Sequence, residues 1–198
     1  MVTPSLDQIR GALSARPPQP LPEPLPRHAA VAMVLRPAGD GLEALLIRRA
    51  EHPGDFWSGH VAFPGGRAVP GEASTETAVR ETAEEVGIDL RERGELLGGL
   101  DEIQAIGRGR HMGLSIRPWV FALRGPAPAL SLSHEVASAH WLRVRDLLDP
   151  VHQAPFPYVH EGERLVFPSL RVEGLVIWGL TYRMIEIFQE VLRGSPGR

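Results

Sequence analysis

The sequence predicts an α/β protein of the α+β kind, in which helices clasp a mixed β-sheet. Runs of β-branched and apolar residues alternate with segments of helical period along the 198 residues. These segments show neither a regular strand–helix–strand order nor an internal repeat, which argues against a purely parallel sheet. A chain of this length can bury a sizeable core. Proline content divides it into an N-terminal helix with a proline-rich connector, residues 1–28, and one folded domain, residues 29–194.

The first segment combines an amphipathic helix with a stiff connector. Leu6, Ile9 and Leu13 recur at helical spacing within residues 5–15. Prolines are dense between residues 16 and 26, which excludes a regular helix or sheet and favours an extended, polyproline-like strap. A proline-rich ligand for a partner domain is the alternative interpretation.

Apolar runs that are bounded by turn residues predict the strands of the sheet. Clusters of glycine, proline and arginine predict the loops between them, and helical periodicity predicts a long amphipathic helix near the end of the chain. The predicted strands are residues 29–35 and 42–48 (a hairpin), 60–63, 95–103, 113–123 and 135–142, with a second hairpin at 158–170; the predicted loops are 51–59, 104–112 and 126–132, and the predicted helices are 144–148 and 175–192.

Another predicted helix, which ends at Gly87, concentrates negative charge on one face. Glu81, Glu84 and Glu85 lie at positions i, i+3 and i+4, so they share that face, while the opposite face is suited to a core. Neighbouring carboxylates repel one another, and a helix selected only for stability would avoid them. A divalent cation such as Mg²⁺, which takes oxygen ligands and is shared with substrate phosphates, turns this repulsion into binding. A solvated acidic helix face is the alternative.

This helix and the glycine turn before it resemble the Nudix box, Gly-x5-Glu-x7-Arg-Glu-U-x-Glu-Glu-x-Gly-U, where U is aliphatic. The resemblance implies the Nudix fold over residues 29–194, an α/β/α sandwich with a mixed sheet. It also implies hydrolysis of a diphosphate bond with Mg²⁺ or Mn²⁺ as the cofactor. The matching residues are Gly66, Glu72, Arg80, Glu81, Glu84, Glu85, Gly87 and Ile88, and the one departure is Thr82 at the first U position, on the core-facing side.

The same resemblance implies roles for the side chains of the box. Glu81 and Glu85 are expected to be the firmest metal ligands, with the Gly66 carbonyl as a further ligand. Glu84 is expected to be a ligand or the general base. Arg80, four residues before Glu84, is expected to orient the carboxylates.

The motif does not identify the general base, because Nudix subfamilies differ in this residue. Outside the helix, Asp101, Glu102 and Glu135 are candidates, and each is equally interpretable as a surface acid. Glu135, a few residues before Trp141, lies in a region that often lines Nudix pockets. Glu72 is expected to steady the loop that enters the helix rather than to bind metal.

The stretch before the box resembles the signature of one branch of the family, the coenzyme A pyrophosphatases. Arg49, Phe63 and Gly65 are therefore expected to bind substrate. Arg49 also has an alternative interpretation as a strand-end residue paired with Glu51 or Asp55. The matching residues are Arg49, Ala50, Gly59, Val61 and residues 63–66, and residues 177–181 also look like that branch; Ile47 replaces a threonine, and the second arginine of the signature is missing near Gly54 and Asp55.

Together these resemblances imply a pyrophosphohydrolase that acts on a small nucleoside diphosphate derivative. The first expectation is coenzyme A, cleaved to 3′,5′-ADP and 4′-phosphopantetheine. ADP-ribose, nucleotide sugars, dinucleotides or nucleoside triphosphates are the alternative substrates. A non-catalytic ligand sensor is disfavoured, because sensors of this fold often lose glutamates of the box and this chain keeps them.

Composition restricts the partners and the chemistry. A formal net charge of −3 gives no sign of a surface for nucleic acid or membrane. The absence of cysteine excludes disulfides and a thiol nucleophile. Without a signal segment or a membrane-spanning apolar run, the expectation is a cytoplasmic enzyme, monomeric or homodimeric.

Overall fold

The fold is a mixed β-sheet with helices on both faces and a smaller antiparallel sheet beside it, which confirms the predicted class. The structure is a computed structural model, and it describes residues 3–39, 41–55, 57–107, 110–160 and 163–194. The helices are α1 (Leu6–Ala15), α2 (Ser74–Val86), α3 (Leu90–Arg93), α4 (Val144–Leu148) and α5 (Gly179–Leu192), with a 3₁₀ turn at Pro150–His152. The strands are β1 (Arg27–Ala38), β2 (Gly41–Arg49), β3 (Val61–Ala62), β4 (Gly65–Arg67), β5 (Gly94–Gly99), β6 (Ile103–Gly107), β7 (Arg110–Leu123), β8 (Val136–Arg143), β9 (Gln153–His160), β10 (Glu163–Val172) and β11 (Leu175–Trp178).

The main sheet is centred on β1 and β7, which run parallel to each other. Its path is β3-β2-β1-β7-β5, and β4, β6 and β8 pair with β1, β7 and β2 respectively. The other strand pairs of the described chain are antiparallel, including the predicted β1–β2 hairpin. The smaller sheet has the order β11-β10-β9.

Two apolar clusters fill the two faces of the main sheet. One contains Ile9 and Leu13 of α1 together with Ile187 and Phe188 of α5. The other lies under α2 and includes Val79 and other buried side chains of that helix. The sheet is therefore the middle layer of three, with α2 and the short α3 on one face and α1, α4 and α5 on the other.

The segment before β1 is attached along the edge of the main sheet. Ser5 caps α1 through a reciprocal hydrogen-bond pair with Gln8. Beyond the helix, Arg16 forms an ion pair of 2.5 Å with Asp101, and the backbone amide of Gln19 donates to the same carboxylate. Regular secondary structure is absent between α1 and β1 in the described residues, as the prolines predict.

The predicted loop over residues 104–112 is wrong, because strands β6 and β7 occupy most of it. These strands pair with each other from Ile103 opposite Ile116 to Gly107 opposite Arg110. Ile103 and Ala105 alternate into the core, a short period-2 pattern that the glycine and arginine content obscured. The predicted strand 95–103 is too long, because β5 ends at Gly99 and only Ile103, the first residue of β6, follows within that range. Residues 108–109 lie outside the described residues.

The predicted start of the last helix is also wrong, because residues 175–178 form β11. This strand pairs with β10 across a two-residue turn in which Glu173 and Gly174 have φ of 50° and 79°. Positive φ at both positions is the hairpin geometry that matches strand twist. The hairpin predicted at 158–170 is confirmed as β9–β10, although its turn at residues 161–162 lies outside the described residues.

Candidate active site

Strand β4 and helix α2 are brought together by two glycines that permit close backbone approach. A side chain at Gly65 would overlap the Ala30 carbonyl and the Val31 backbone, and a side chain at Gly66 would overlap the carboxylate of Glu81. The helix then ends at Gly87, whose φ of 74° is the left-handed C-terminal conformation. The glycine turn therefore lies against the acidic face of α2.

The three carboxylates of that face differ in exposure and in hydrogen bonding. Glu85 is 4% exposed, and its Oε2 accepts a 2.8 Å hydrogen bond from the Gly65 amide. Glu81 is half-buried and accepts a 2.7 Å hydrogen bond from Arg80. The Glu84 side chain is 59% exposed and accepts a 3.1 Å hydrogen bond from the same guanidinium.

Arg80 connects the acidic face to the loop that precedes the helix. Its Nε and one terminal nitrogen donate to the two carboxylate oxygens of Glu72 at 2.9 and 3.0 Å. Glu72 also accepts a 2.7 Å hydrogen bond from the Thr77 hydroxyl and a 3.2 Å hydrogen bond from the Val69 amide. Hydrogen bonding to Arg80 is the main cause that lowers the pKa of Glu72 to about 2. The Glu72 carboxylate thus accepts hydrogen bonds from Arg80, from the loop and from the first turn of the helix.

Burial makes ionisation costly for the less exposed carboxylates of this cluster. It raises the pKa of Glu85 to about 7, because an ionised carboxylate loses its water there. The hydrogen bond from Gly65 and the positive charge of Arg49 oppose the shift, and the negative charges of Glu81 and Glu135 reinforce it. Burial likewise raises the pKa of Glu81.

A cavity of about 400 Å³ opens beside the carboxylates. One part of its wall is acidic and the remainder is largely apolar. Arg49 lines the cavity. Its guanidinium donates two hydrogen bonds, of 3.2 and 2.9 Å, to the Asp55 carboxylate. The lining residues predicted from sequence are Arg49, Phe63, Gly65, Gly66, Glu81, Glu84, Glu85 and Glu135.

Phe63 and Glu135 occupy contrasting positions in this wall. Phe63 is 2% exposed, so its ring belongs to the core at the floor of the cavity. Glu135 is exposed, and its charge acts on both Glu81 and Glu85. Glu135 therefore adds negative charge to the acidic part of the cavity wall.

Glu102 and Asp101 are not among the residues that line the cavity. Glu102 accepts a 3.0 Å hydrogen bond from the Leu21 amide and lies 3.5 Å from Arg117. Burial alone would raise the pKa of Glu102. The hydrogen bonds that its carboxylate accepts and the positive charge of Arg117 together have the larger effect, so the pKa of Glu102 lies below its ordinary value. Asp101 is paired with Arg16. Both carboxylates therefore hold the N-terminal segment, and we do not retain Glu102 as a candidate base.

Sequence reasoning missed most of the apolar wall, because its residues come from elements far apart in the chain. β1 and β7 contribute side chains, and the start of α5 is fixed there by a 3.0 Å hydrogen bond from the Thr181 hydroxyl to the Val61 carbonyl. Only the branch-like stretch at residues 177–181 gave a signal for this wall. Trp178, Leu180 and Thr181 belong to that stretch, whereas the residues of this wall without a signal are Ala29, Val31, Leu114, Ile116 and Met184.

The donor set of the cluster fits a hard divalent cation in its chemistry. Glu81, Glu84 and Glu85 offer only oxygen donors, and the Gly66 backbone lies directly against the Glu81 carboxylate. Among the described residues, no three Asp, Glu or His side chains already converge as a complete metal-ligand set. The carboxylates are held instead by Arg80 and by the Gly65 amide.

Comparison with known proteins identifies the family. The NUDIX domain model matches residues 26–161, more than half of the chain, and the chain therefore belongs to the Nudix family. Enzymes of this family hydrolyse diphosphate bonds and generally need a divalent metal ion.

Individual relatives agree with this assignment. The chain is 37% identical over 167 residues to an uncharacterised protein of Schizosaccharomyces pombe, covering 73% of this chain and 50% of that protein. It is 32% identical over 137 residues to a peroxisomal coenzyme A diphosphatase of Caenorhabditis elegans, covering 66% of this chain and 54% of that protein. The chain thus spans about half the length of these two relatives.

A solved structure shows the same fold. The Ap4A hydrolase of Caenorhabditis elegans, determined as a binary complex, aligns with a TM-score of 0.52 and 26% identity. The alignment covers 62% of this chain and 83% of the hydrolase. Separately, none of the helices in the described part of the chain is long and apolar enough to cross a membrane.

The raised pKa of Glu85 predicts how the stability of the metal-free protein depends on pH. The folded state binds a proton more tightly than the unfolded state, whose Glu pKa is near 4.5, so this contribution is complete below that pH and is lost as the pH rises to about 7. In Glu85→Gln the contribution does not titrate. As the pH rises from about 5 to about 8, we expect the free energy of unfolding of wild type to fall by on the order of 2 kcal/mol relative to that of Glu85→Gln.

Urea unfolding in a chelator at several pH values measures this difference. Glu76→Gln is the matched control, because Glu76 lies on the same helix with its side chain 52% exposed and paired with Arg91. A difference between Glu85→Gln and wild type that stays constant with pH would contradict the buried, proton-binding state of Glu85.

Proposed function

We propose that this protein is a Mg²⁺-dependent pyrophosphohydrolase that cleaves coenzyme A to 3′,5′-ADP and 4′-phosphopantetheine. One water molecule is consumed: its oxygen bonds to one phosphorus atom, and the bridging oxygen leaves with the other. The observation that carries the proposal is the position of Glu81, Glu84 and Glu85 in one wall of a cavity whose remaining wall is largely apolar. Such a cavity accommodates a diphosphate and an organic group together.

The carboxylates divide the work according to their environment. Glu81 and Glu85 would hold the cation together with the Gly66 carbonyl, because they are the two most buried donors of the cluster. When bound, Mg²⁺ neutralises the phosphate oxygens and lowers the pKa of water in its coordination shell. Arg80 keeps the carboxylates in place through its hydrogen bonds to Glu81 and Glu84.

Two carboxylates remain as candidates for the group that takes a proton from the attacking water. Glu84 and Glu135 both line the cavity and both are exposed enough to reach solvent. A general base must lie within hydrogen-bond reach of the proton that it removes, and a place in the cavity wall supports both side chains as candidates for that role.

The choice of coenzyme A is supported by three observations. The chain resembles a coenzyme A diphosphatase at 32% identity. The cavity contains a cationic side chain, Arg49, next to the acidic cluster, where it can bind a phosphate group. The apolar wall provides a surface for an adenine or a pantetheine group.

Hydrolysis of a dinucleoside polyphosphate is the second candidate, because the Ap4A hydrolase shares the fold.

The first test is a panel of substrates assayed in Mg²⁺ and in Mn²⁺, with the products identified. The panel contains coenzyme A, ADP-ribose, a nucleotide sugar, Ap4A and nucleoside triphosphates. We expect coenzyme A to give the highest kcat/KM. A preference of about tenfold for another substrate, a gap of roughly 1.4 kcal/mol, would reject coenzyme A and leave diphosphate hydrolysis standing.

The same assay tests the metal face. Glu81→Gln and Glu85→Gln keep side-chain size but remove a charge that offsets the cation, and we expect each to lose a factor on the order of 10² or more in kcat. Glu76→Gln, on the same helix but outside the cavity, should keep the parental rate. Parental rates in Glu81→Gln or Glu85→Gln at limiting Mg²⁺ would reject the assignment of that residue.

The role of Arg49 gives a second kinetic test. A charge-assisted hydrogen bond contributes roughly 1.5–3 kcal/mol, so Arg49→Ala should lower kcat/KM for coenzyme A by about 10- to 150-fold. ADP-ribose lacks the 3′-phosphate and the pantetheine arm, so any activity on it should fall less.

Asp55→Asn distinguishes binding of substrate from support of the loop. It weakens the ion pair with Arg49 but keeps the guanidinium, so activity on coenzyme A should survive in this variant if Arg49 acts on substrate. Equal losses in Arg49→Ala and Asp55→Asn, or equal losses on both substrates, would show that the pair only holds the loop after β2.

A further inference from the structure

One indole ring of the cavity wall, that of Trp178, is held in place by a cluster of other rings. The ring centroids of His60, Phe156, Tyr158 and Phe167 lie 4.7, 4.6, 5.2 and 5.6 Å from that of Trp178. All four rings are tilted against the indole, by 37° to 48°, so none of these four stacks parallel on it. We call these four side chains the aromatic support.

The backbone at Trp178 is fixed as firmly as its ring. Trp178 ends β11, where it pairs with Ser169 of β10, and it is also the N-cap residue of α5. Three residues later, the Thr181 hydroxyl binds the Val61 carbonyl. The indole is therefore positioned before any ligand arrives, and a positioned group loses little conformational entropy on binding.

Diphosphate hydrolysis makes no use of this ring. The carboxylates, Arg80 and Arg49 account for the charged part of the substrate, whereas the indole lines the same cavity with only an apolar surface and one N–H donor. The ring is therefore available to contact an organic group that is attached to the diphosphate.

We propose that Trp178, held by the aromatic support, is the surface on which the adenine base of the substrate stacks. The proposal rests on the proposed function for the nature of the substrate, and it adds the group that selects it. A purine has a flat π face that matches an indole, and stacking on aromatic side chains is a general mode of base binding. The smaller sheet then has a functional role, because β9 and β10 carry three of the four supporting rings.

A second part of the apolar wall fits the other end of coenzyme A. This part consists of non-aromatic side chains from β1, β7 and α5. A flexible pantetheine chain can adapt to such a surface, whereas a planar base gains most on a ring. These non-aromatic residues are Ala29, Val31, Leu114, Ile116, Leu180 and Met184.

Trp57 is the competing indole, since it also lines the cavity. It lies in the loop between β2 and β3, where its backbone amide donates a 3.0 Å hydrogen bond to Asp55. Trp178 is placed by two strands and a helix instead. We assign stacking to Trp178 because four rings surround its indole, and Trp57, which also packs against the core, is the alternative that the experiment tests.

Binding of AMP tests the proposal independently of hydrolysis. AMP and ribose 5-phosphate differ only in the base, and 4′-phosphopantetheine represents the other half of coenzyme A; none of them contains a diphosphate, so Mg²⁺ can be present. Isothermal titration of wild type and of Trp178→Leu with each probe separates the contributions. We expect Trp178→Leu to weaken AMP binding by about 10-fold or more, and Trp178→Phe to keep most of it. Binding of ribose 5-phosphate and 4′-phosphopantetheine should not change.

Two control variants separate stacking from damage to the fold. Trp141→Leu changes an indole outside the cavity, one that lies 4.1 Å below the Arg36 guanidinium, and it should leave AMP binding unchanged. Trp57→Leu tests the competing ring. Circular dichroism and urea unfolding of each variant show whether it is folded, and Trp178→Phe provides the folded variant if Trp178→Leu is not.

Four outcomes would overturn the proposal. They are unchanged AMP binding in Trp178→Leu, a loss confined to 4′-phosphopantetheine, a loss of AMP binding in Trp57→Leu instead, and no AMP binding by wild type at millimolar concentrations. If coenzyme A is not hydrolysed but Trp178→Leu still loses AMP binding selectively, the proposed function fails and the adenine site stands.

Discussion

The hydrogen bond from the Gly65 amide to the buried carboxylate of Glu85 connects the central sheet to the acidic helix. It requires β4 to lie against β1 so closely that residue 65 has no room for a side chain. The same approach places the next residue, Gly66, against Glu81. A carboxylate that is desolvated and surrounded by like charges is costly unless a cation or proton compensates it. This local destabilisation is the physical basis of the site.

Around that centre, the cavity joins two kinds of wall that come from different layers of the fold. The acidic wall is local in sequence and belongs to one turn and one helix. The apolar wall is assembled from β1, β7, β11 and α5, so it exists only after the sheet has formed. Under the proposed function, the acidic wall faces the diphosphate and the apolar wall faces the organic group that is attached to it.

The extent to which the sequence predicts this molecule depends on how local each feature is. Helix α2, its end at Gly87 and its acidic face follow from periodicity within a short segment. The start of α5 does not, because residues 175–178 become a strand only through pairing with β10. Glu102 and Glu135 were equivalent as surface acids in sequence, and only the course of the N-terminal segment separates them. Trp178 was visible within a branch-like stretch, but its supporting rings come from the neighbouring β9–β10 hairpin and from His60.

The proposed chemistry depends on the binding of a divalent cation by the carboxylates beside the glycine turn. Anomalous diffraction from crystals that contain Mn²⁺ tests it directly, because the ion is located without any assumption about activity. If these carboxylates bind the ion, an anomalous peak will lie within coordination distance of both Glu81 and Glu85. A cavity without a peak at millimolar Mn²⁺, or a peak that contacts neither carboxylate, would show that they do not form the metal site.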